Sequence, residues 1–168
     1  SNPFVTSDAL IALSAAKRAG VIPEDLPAAI ERGVKSLLIC RTTEGAYSYN
    51  QPRRGKARAA IEGSVGRTPR GELALMLWSP KDSIGLEKAV ALSFDNEEHL
   101  LPAQKYDAHT SSYGYGGFFF YYDLLARTEA IAALPKGAAR KASATQQHAQ
   151  IMNLPEFDGA FMDSHEIG

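Results

Sequence analysis

Cysteine is nearly missing from this chain of 168 residues. Cys40 stands alone, so no disulfide can form within the chain and the redox compartment stays open. Tryptophan is as scarce, with one copy. Charge of one sign is not in excess: 18 Lys and Arg against 19 Asp and Glu give a formal net charge of −1. That balance gives no global reason to expect a nucleic acid or an anionic membrane as partner. No apolar run approaches the ~20 residues that a membrane-spanning helix needs. No signal peptide is visible either. Ser1-Asn2 fits the scar of a removed tag, which would put the native start further upstream.

What is present is ordinary for a globular protein, with 45% hydrophobic and 22% charged residues. The length suits a single domain over 1–168, one able to bury roughly 70% of the surface its unfolded chain exposes. Apolar residues recur at helical spacing almost throughout. A helix is expected from Asp8 to Ala19, capped by Thr6 or Ser7 and stopped by Gly20, and a second from Glu24 to Cys40. After a polar, basic loop from Arg41 to Arg70, with a turn of helix at Ala57 to Ile61, helices follow at Gly71 to Trp78 and Leu86 to Leu101. Two more run from Phe118 to Leu134 and from Gly137 to Met152, beyond a loop from Lys105 to Gly117. No segment alternates as a strand would, so the expected class is all-α.

Three segments share one pattern, an acid followed by five apolar residues: they start at Asp8, Glu72 and Glu129. A second pattern sits in the connections, where Glu44-Gly45-Ala46-Tyr47 matches Asp158-Gly159-Ala160-Phe161. Such internal similarity suggests stacked helical hairpins, each too small to bury its apolar face alone.

The turn after the second helix, Arg41-Thr42-Thr43-Glu44-Gly45-Ala46-Tyr47, resembles the Gln-x-x-x-Gly-x-Trp turn of the prenyltransferase and squalene-oxidase repeat family. Here Arg replaces Gln and Tyr replaces Trp, and in the second copy Pro155 stands at the Gln position. The resemblance implies an α/α toroid, represented by three helical hairpins that make a partial ring. The first helix of each hairpin would lie inside and be apolar nearly all round; the second would carry the charges. It leaves three readings open: a fragment of a longer chain, a partial toroid, or a protomer that closes by association with a second copy.

The family's catalytic signatures do not accompany the fold signature. No Asp-x-Asp-Asp cluster occurs for protonating an alkene, no Cys–Gln thioester pair is present, and the lone Cys40 has no His near it for zinc. Cys40 is expected to be a small buried residue. No metal and no cofactor are expected. His109, with Asp107, and His165, between Asp163 and Glu166, are the weak candidates for acid–base work, since a carboxylate beside an imidazole orients it. Arg53, Arg54 and Lys56, beside Gly55, form a weak anion-site candidate.

The densest feature is Tyr113-Gly114-Tyr115-Gly116-Gly117-Phe118-Phe119-Phe120-Tyr121-Tyr122-Asp123. Its glycines argue against a strand and its continuation is helical, so it reads as the mouth end of an inner helix. Tyr113, Tyr115, Phe118, Tyr121 and Tyr122 are the expected ligand-contacting residues, suited to an apolar chain or to stacking on a sugar. The expectation is a binding domain without catalytic motifs. Its alternative is an enzyme acting on an isoprenoid or a glycan in the same cavity.

Overall fold

In a computed structural model of the chain, residues 2–101, 120–156 and 158–161 are described. The all-α expectation holds. Among the described residues there are six α-helices, α1 (Pro3–Arg18), α2 (Leu26–Cys40), α3 (Arg67–Trp78), α4 (Leu86–Asp95), α5 (Phe120–Ala133) and α6 (Ala138–Met152), and no strand beyond one isolated bridge, Arg41 to Tyr47.

Several boundaries moved for local reasons. Helix α1 begins at Pro3, earlier than expected, because Asn2 caps it: its side-chain oxygen accepts from the Phe4 N–H at 2.9 Å. Proline suits the first helical position, where its missing N–H has no intrahelical partner to lose. Thr6, expected as a cap, instead lies within the first turns and donates to the Asn2 carbonyl. Helix α3 starts at Arg67, ahead of the expected Gly71; Pro69 falls in the first turn, where backbone N–H groups are unpaired in any helix. Helix α4 ends at Asp95, short of the expected Leu101, where a 3-10 turn (Glu97–His99) takes over. In the basic loop the turn of helix is Glu62–Ser64, after the expected Ala57 to Ile61.

The helices pack as three successive hairpins. Helix α1 lies against α2 and α3, α3 against α4 and α5, and α5 against α6. Each step has its own apolar cluster. Leu10, Leu37, Cys40, Tyr47, Ala74 and Leu75 join the first hairpin to α3. Leu73, Leu86, Val90, Ala130, Ile131 and Leu134 join α3 and α4 to α5. Val65, Leu100, Phe120, Leu124 and Leu154 close the third. Full burial of each large member contributes about 1.5–3 kcal/mol. Cys40 is fully buried in the first cluster, and that burial raises its thiol above the ordinary range.

The helices expected to be apolar all round carry a surprise. Arg67 and Glu72 on α3, and Asp123 and Arg127 on α5, are all buried. Helix α6, by contrast, is mostly exposed, with Gln147 as its buried residue.

Candidate functional site

The turn that carries the family resemblance is built as a clamp. Gly45 takes φ +100, as a tight corner requires. The Thr42 N–H donates to the Ala46 carbonyl at 2.8 Å and the Gly45 N–H to the Thr42 carbonyl at 3.2 Å. This brings the first and last residues of the motif together on one acceptor. The Arg41 guanidinium (2.9 Å) and the Tyr47 hydroxyl (2.7 Å) both donate to Oε1 of Glu72. Its other oxygen accepts from the Ser83 hydroxyl at 2.8 Å and the Ile84 N–H at 2.9 Å. Burial alone would lower Arg41, but the bond and the charge of Glu72 outweigh it and leave the guanidinium above its usual range. Burial, and then Glu72, raises the Tyr47 phenol, so it is a neutral donor.

The start of α3 and the Glu62–Ser64 turn before it lock over this turn. Ser64 accepts from the Tyr47 N–H, Arg67 donates to the Tyr47 carbonyl and Thr68 to the Gly45 carbonyl, each at 3.2 Å. Gly71 lies flat on the Tyr47 ring, where a Cβ would come within 2.5 Å of it. Tyr47 is 0% exposed.

The second copy has the same skeleton. The Glu156 N–H donates to the Ala160 carbonyl at 2.8 Å, the Gly159 N–H donates to the Glu156 carbonyl at 2.8 Å, and Gly159 takes φ +82. These are the bonds and the conformation of Thr42, Gly45 and Ala46, repeated at Glu156, Gly159 and Ala160. The outcome for the aromatic differs: Phe161, in the place of Tyr47, is 55% exposed. With Tyr121, Leu124, Leu125, Ile151 and Leu154 it lines an apolar groove of about 470 Å³ between α5 and α6. The Phe161 and Tyr121 rings meet edge to face, 6.2 Å between centroids.

A polar face joins α1, α3 and α5. The Arg70 guanidinium pairs with Asp8 (2.6 Å) and with Glu129. The Tyr122 hydroxyl donates to the other Asp8 oxygen at 2.5 Å, and its ring packs on Phe4 at 5.6 Å. Burial, and then the Asp8 carboxylate, raises the Tyr122 phenol. The three repeated acids therefore do not share one environment: Asp8 and Glu129 approach Arg70, whereas Glu72 closes the clamp.

Deeper in, Arg127 donates to Gln147 and Glu97, both at 2.7 Å, and to Gln150, and stacks on Phe94 at 4.1 Å. Burial lowers it despite Glu97. Burial pulls Arg67 down to about 10. Asp123 is 1% exposed and lies on Gly66 so closely that a Cβ there would overlap its carboxylate. Neither of its oxygens has a hydrogen-bond partner among the described residues. Burial pushes its carboxyl well above the usual range, against the pull of Arg67 and Arg127.

The five expected aromatic contacts thus divide. Tyr121 lines the α5/α6 groove and Tyr122 belongs to the polar face, while Tyr113, Tyr115 and Phe118 lie outside the described residues. Asp107, His109 and His165 also lie outside them. Lys56 lines a cleft with Arg41 and Arg58; Arg53 and Arg54 are exposed and do not join it. Among the described residues no three His, Cys, Asp or Glu side chains converge as metal ligands would. Nor is any described helix long and apolar enough to cross a membrane. The groups gathered here can orient and neutralise one another: paired carboxylates, un-ionised phenols and a raised thiol are poor nucleophiles. Sequence reading missed Glu72 as the acceptor of the clamp and Asp123 as a buried acid. The acid–apolar repeat pointed to the first and nothing local pointed to the second. No family model, curated protein or solved structure matches this chain.

Proposed function

We propose that this chain is a binding module of helical hairpins, a partial α/α toroid of the prenyltransferase and squalene-oxidase repeat kind, whose groove between α5 and α6 receives a further helix. The supporting observation is the pair of matched turns. Around Tyr47 the turn is roofed by α3, which contributes Gly71 to the ring and Arg67 and Thr68 to the backbone near it, with Ser64 added from the turn just before. Around Phe161 the same turn has no such roof among the described residues, and Leu125 beside it is 52% exposed. Phenylalanine lacks the hydroxyl that Tyr47 gives to Glu72, so the incoming helix needs a small residue over the ring and no acid. An apolar ligand is the second reading, supported by the edge-to-face pair of Tyr121 and Phe161.

Both readings require the groove to be accessible and apolar. Nile red, a neutral dye that brightens on apolar surfaces, is expected to bind the free chain saturably. Phe161→Asp and Leu125→Asp are each expected to weaken that binding by about tenfold, with helicity unchanged by circular dichroism. Dye binding that is equal in wild type and both variants would contradict the proposal.

A further inference from the structure

A second groove lies apart from α5 and α6, where α1, α2 and the end of α3 meet. Its volume is about 740 Å³, within the range of small-molecule sites. One wall is a single face of α2, where Leu26, Ile30, Val34 and Leu38 recur every fourth residue. The opposite side is Trp78. Its indole N–H donates to the Leu10 carbonyl at 2.7 Å, which fixes the ring plane and leaves its apolar surface presented to the groove. Ile22, 65% exposed, extends the apolar wall on the connection between α1 and α2.

The rim has a sign. Lys17 stands over the Trp78 ring, its ammonium 5.2 Å from the centroid, and Lys35 lines the groove from α2; Glu31 is the acid among the lining residues. An apolar helix laid here would have to cover two ammonium groups without supplying a counter-charge, which is costly. A chain with an anionic end meets both demands, because its methylenes cover the aliphatic face and the indole while its head stays at the lysines.

We propose that this groove binds a fatty-acid-like amphiphile, its acyl chain along Leu26, Ile30, Val34 and Leu38 against Trp78 and its carboxylate at Lys17 and Lys35. The site is independent of the α5/α6 groove.

Trp78 is the chain's one tryptophan, so its fluorescence reports this groove alone. The test is a titration of the full chain with dodecanoate, dodecyltrimethylammonium and dodecyl maltoside, which share a chain length, each below its micelle-forming concentration. Dodecanoate is expected to change Trp78 emission saturably and to bind at least about tenfold more tightly than the other two. Replacing both lysines, K17A with K35A, is expected to remove most of that preference while leaving the maltoside affinity unchanged. No saturable change with dodecanoate would overturn the proposal, as would equal affinity for the cationic amphiphile; neither result depends on a variant folding. Emission that shifts with protein concentration in the absence of any amphiphile would assign the groove to a second copy of the chain and overturn it as well.

Discussion

Asp123 and Arg127 sit one helical turn apart on α5, both buried, and meet opposite circumstances. Arg127 is surrounded by acceptors from the turn after α4 and from α6, including Glu97, Gln147 and Gln150. Asp123 has none among the described residues and lies pressed on Gly66. A carboxyl so placed favours its neutral form. An aspartate in the unfolded chain titrates near ~3.9, and in the fold burial holds Asp123 well above that. Below about pH 4 both states are protonated and the residue leaves stability unchanged. Above it the unfolded chain gives up the proton first and binds fewer protons than the fold. Stability therefore falls as pH rises, by up to about 1.4 kcal/mol per pH unit, until the folded carboxyl ionises too. Asp123→Asn removes that titration. Its urea midpoint is expected to fall less steeply than wild type as pH rises above about 4. An unchanged slope would show that Asp123 is not the group responsible. Nothing near Asp123 in the sequence announced this, because its burial is created by Gly66 and α3, which reach it only through the fold.

At the scale of elements, the connection between α2 and α3 was more legible than the helices themselves. The spacing from Arg41 to Tyr47 carried both the positive-φ glycine and the packing of the aromatic, since a tight corner with a ring two residues on has few solutions. Helix starts were less legible. Asn2 and the first turn of α3 depend on caps and on a tolerated Pro69, signals only one or two residues long. The acid–apolar repeat located Glu72 without revealing its partners, which come from two separate connections, Arg41 to Tyr47 and Ser83 to Ile84. The clamp makes a prediction at this scale. Tyr47→Phe keeps the ring on Gly71 but deprives Glu72 of one of its donors, with Arg41, Ser83 and the Ile84 N–H remaining. Stability is expected to drop by about 1–2 kcal/mol, read as a lower urea midpoint. Against a Glu72→Gln background the same substitution is expected to cost less, because the charge that strengthened the bond is gone. Equal costs in the two backgrounds would dissolve the link between turn and helix.

For the whole molecule, the order of packing is the informative fact. Helix α1 meets α3, α3 meets α5, and α2, α4 and α6 each lie beside the helix that precedes them. Helix α3 is held by the turn of the hairpin before it, through Tyr47 and Glu72. The helical hairpin character was visible in the sequence through helical spacing, whereas the buried charges of α3 and α5 were not. The two surfaces that carry the functional proposals were not, because they depend on which faces remain uncovered after packing. Tyr121 and Tyr122 are adjacent in sequence and identical in chemistry, yet one lines the groove and the other hydrogen-bonds to Asp8. The central claim is that Phe161 marks a seat still to be filled. Native mass spectrometry of the purified chain, beside its Phe161→Asp variant, tests it most directly. The expected result is a wild-type species that carries a second copy, another polypeptide or an apolar adduct, and a folded variant that lacks that species. Identical bare monomers for both proteins would contradict it.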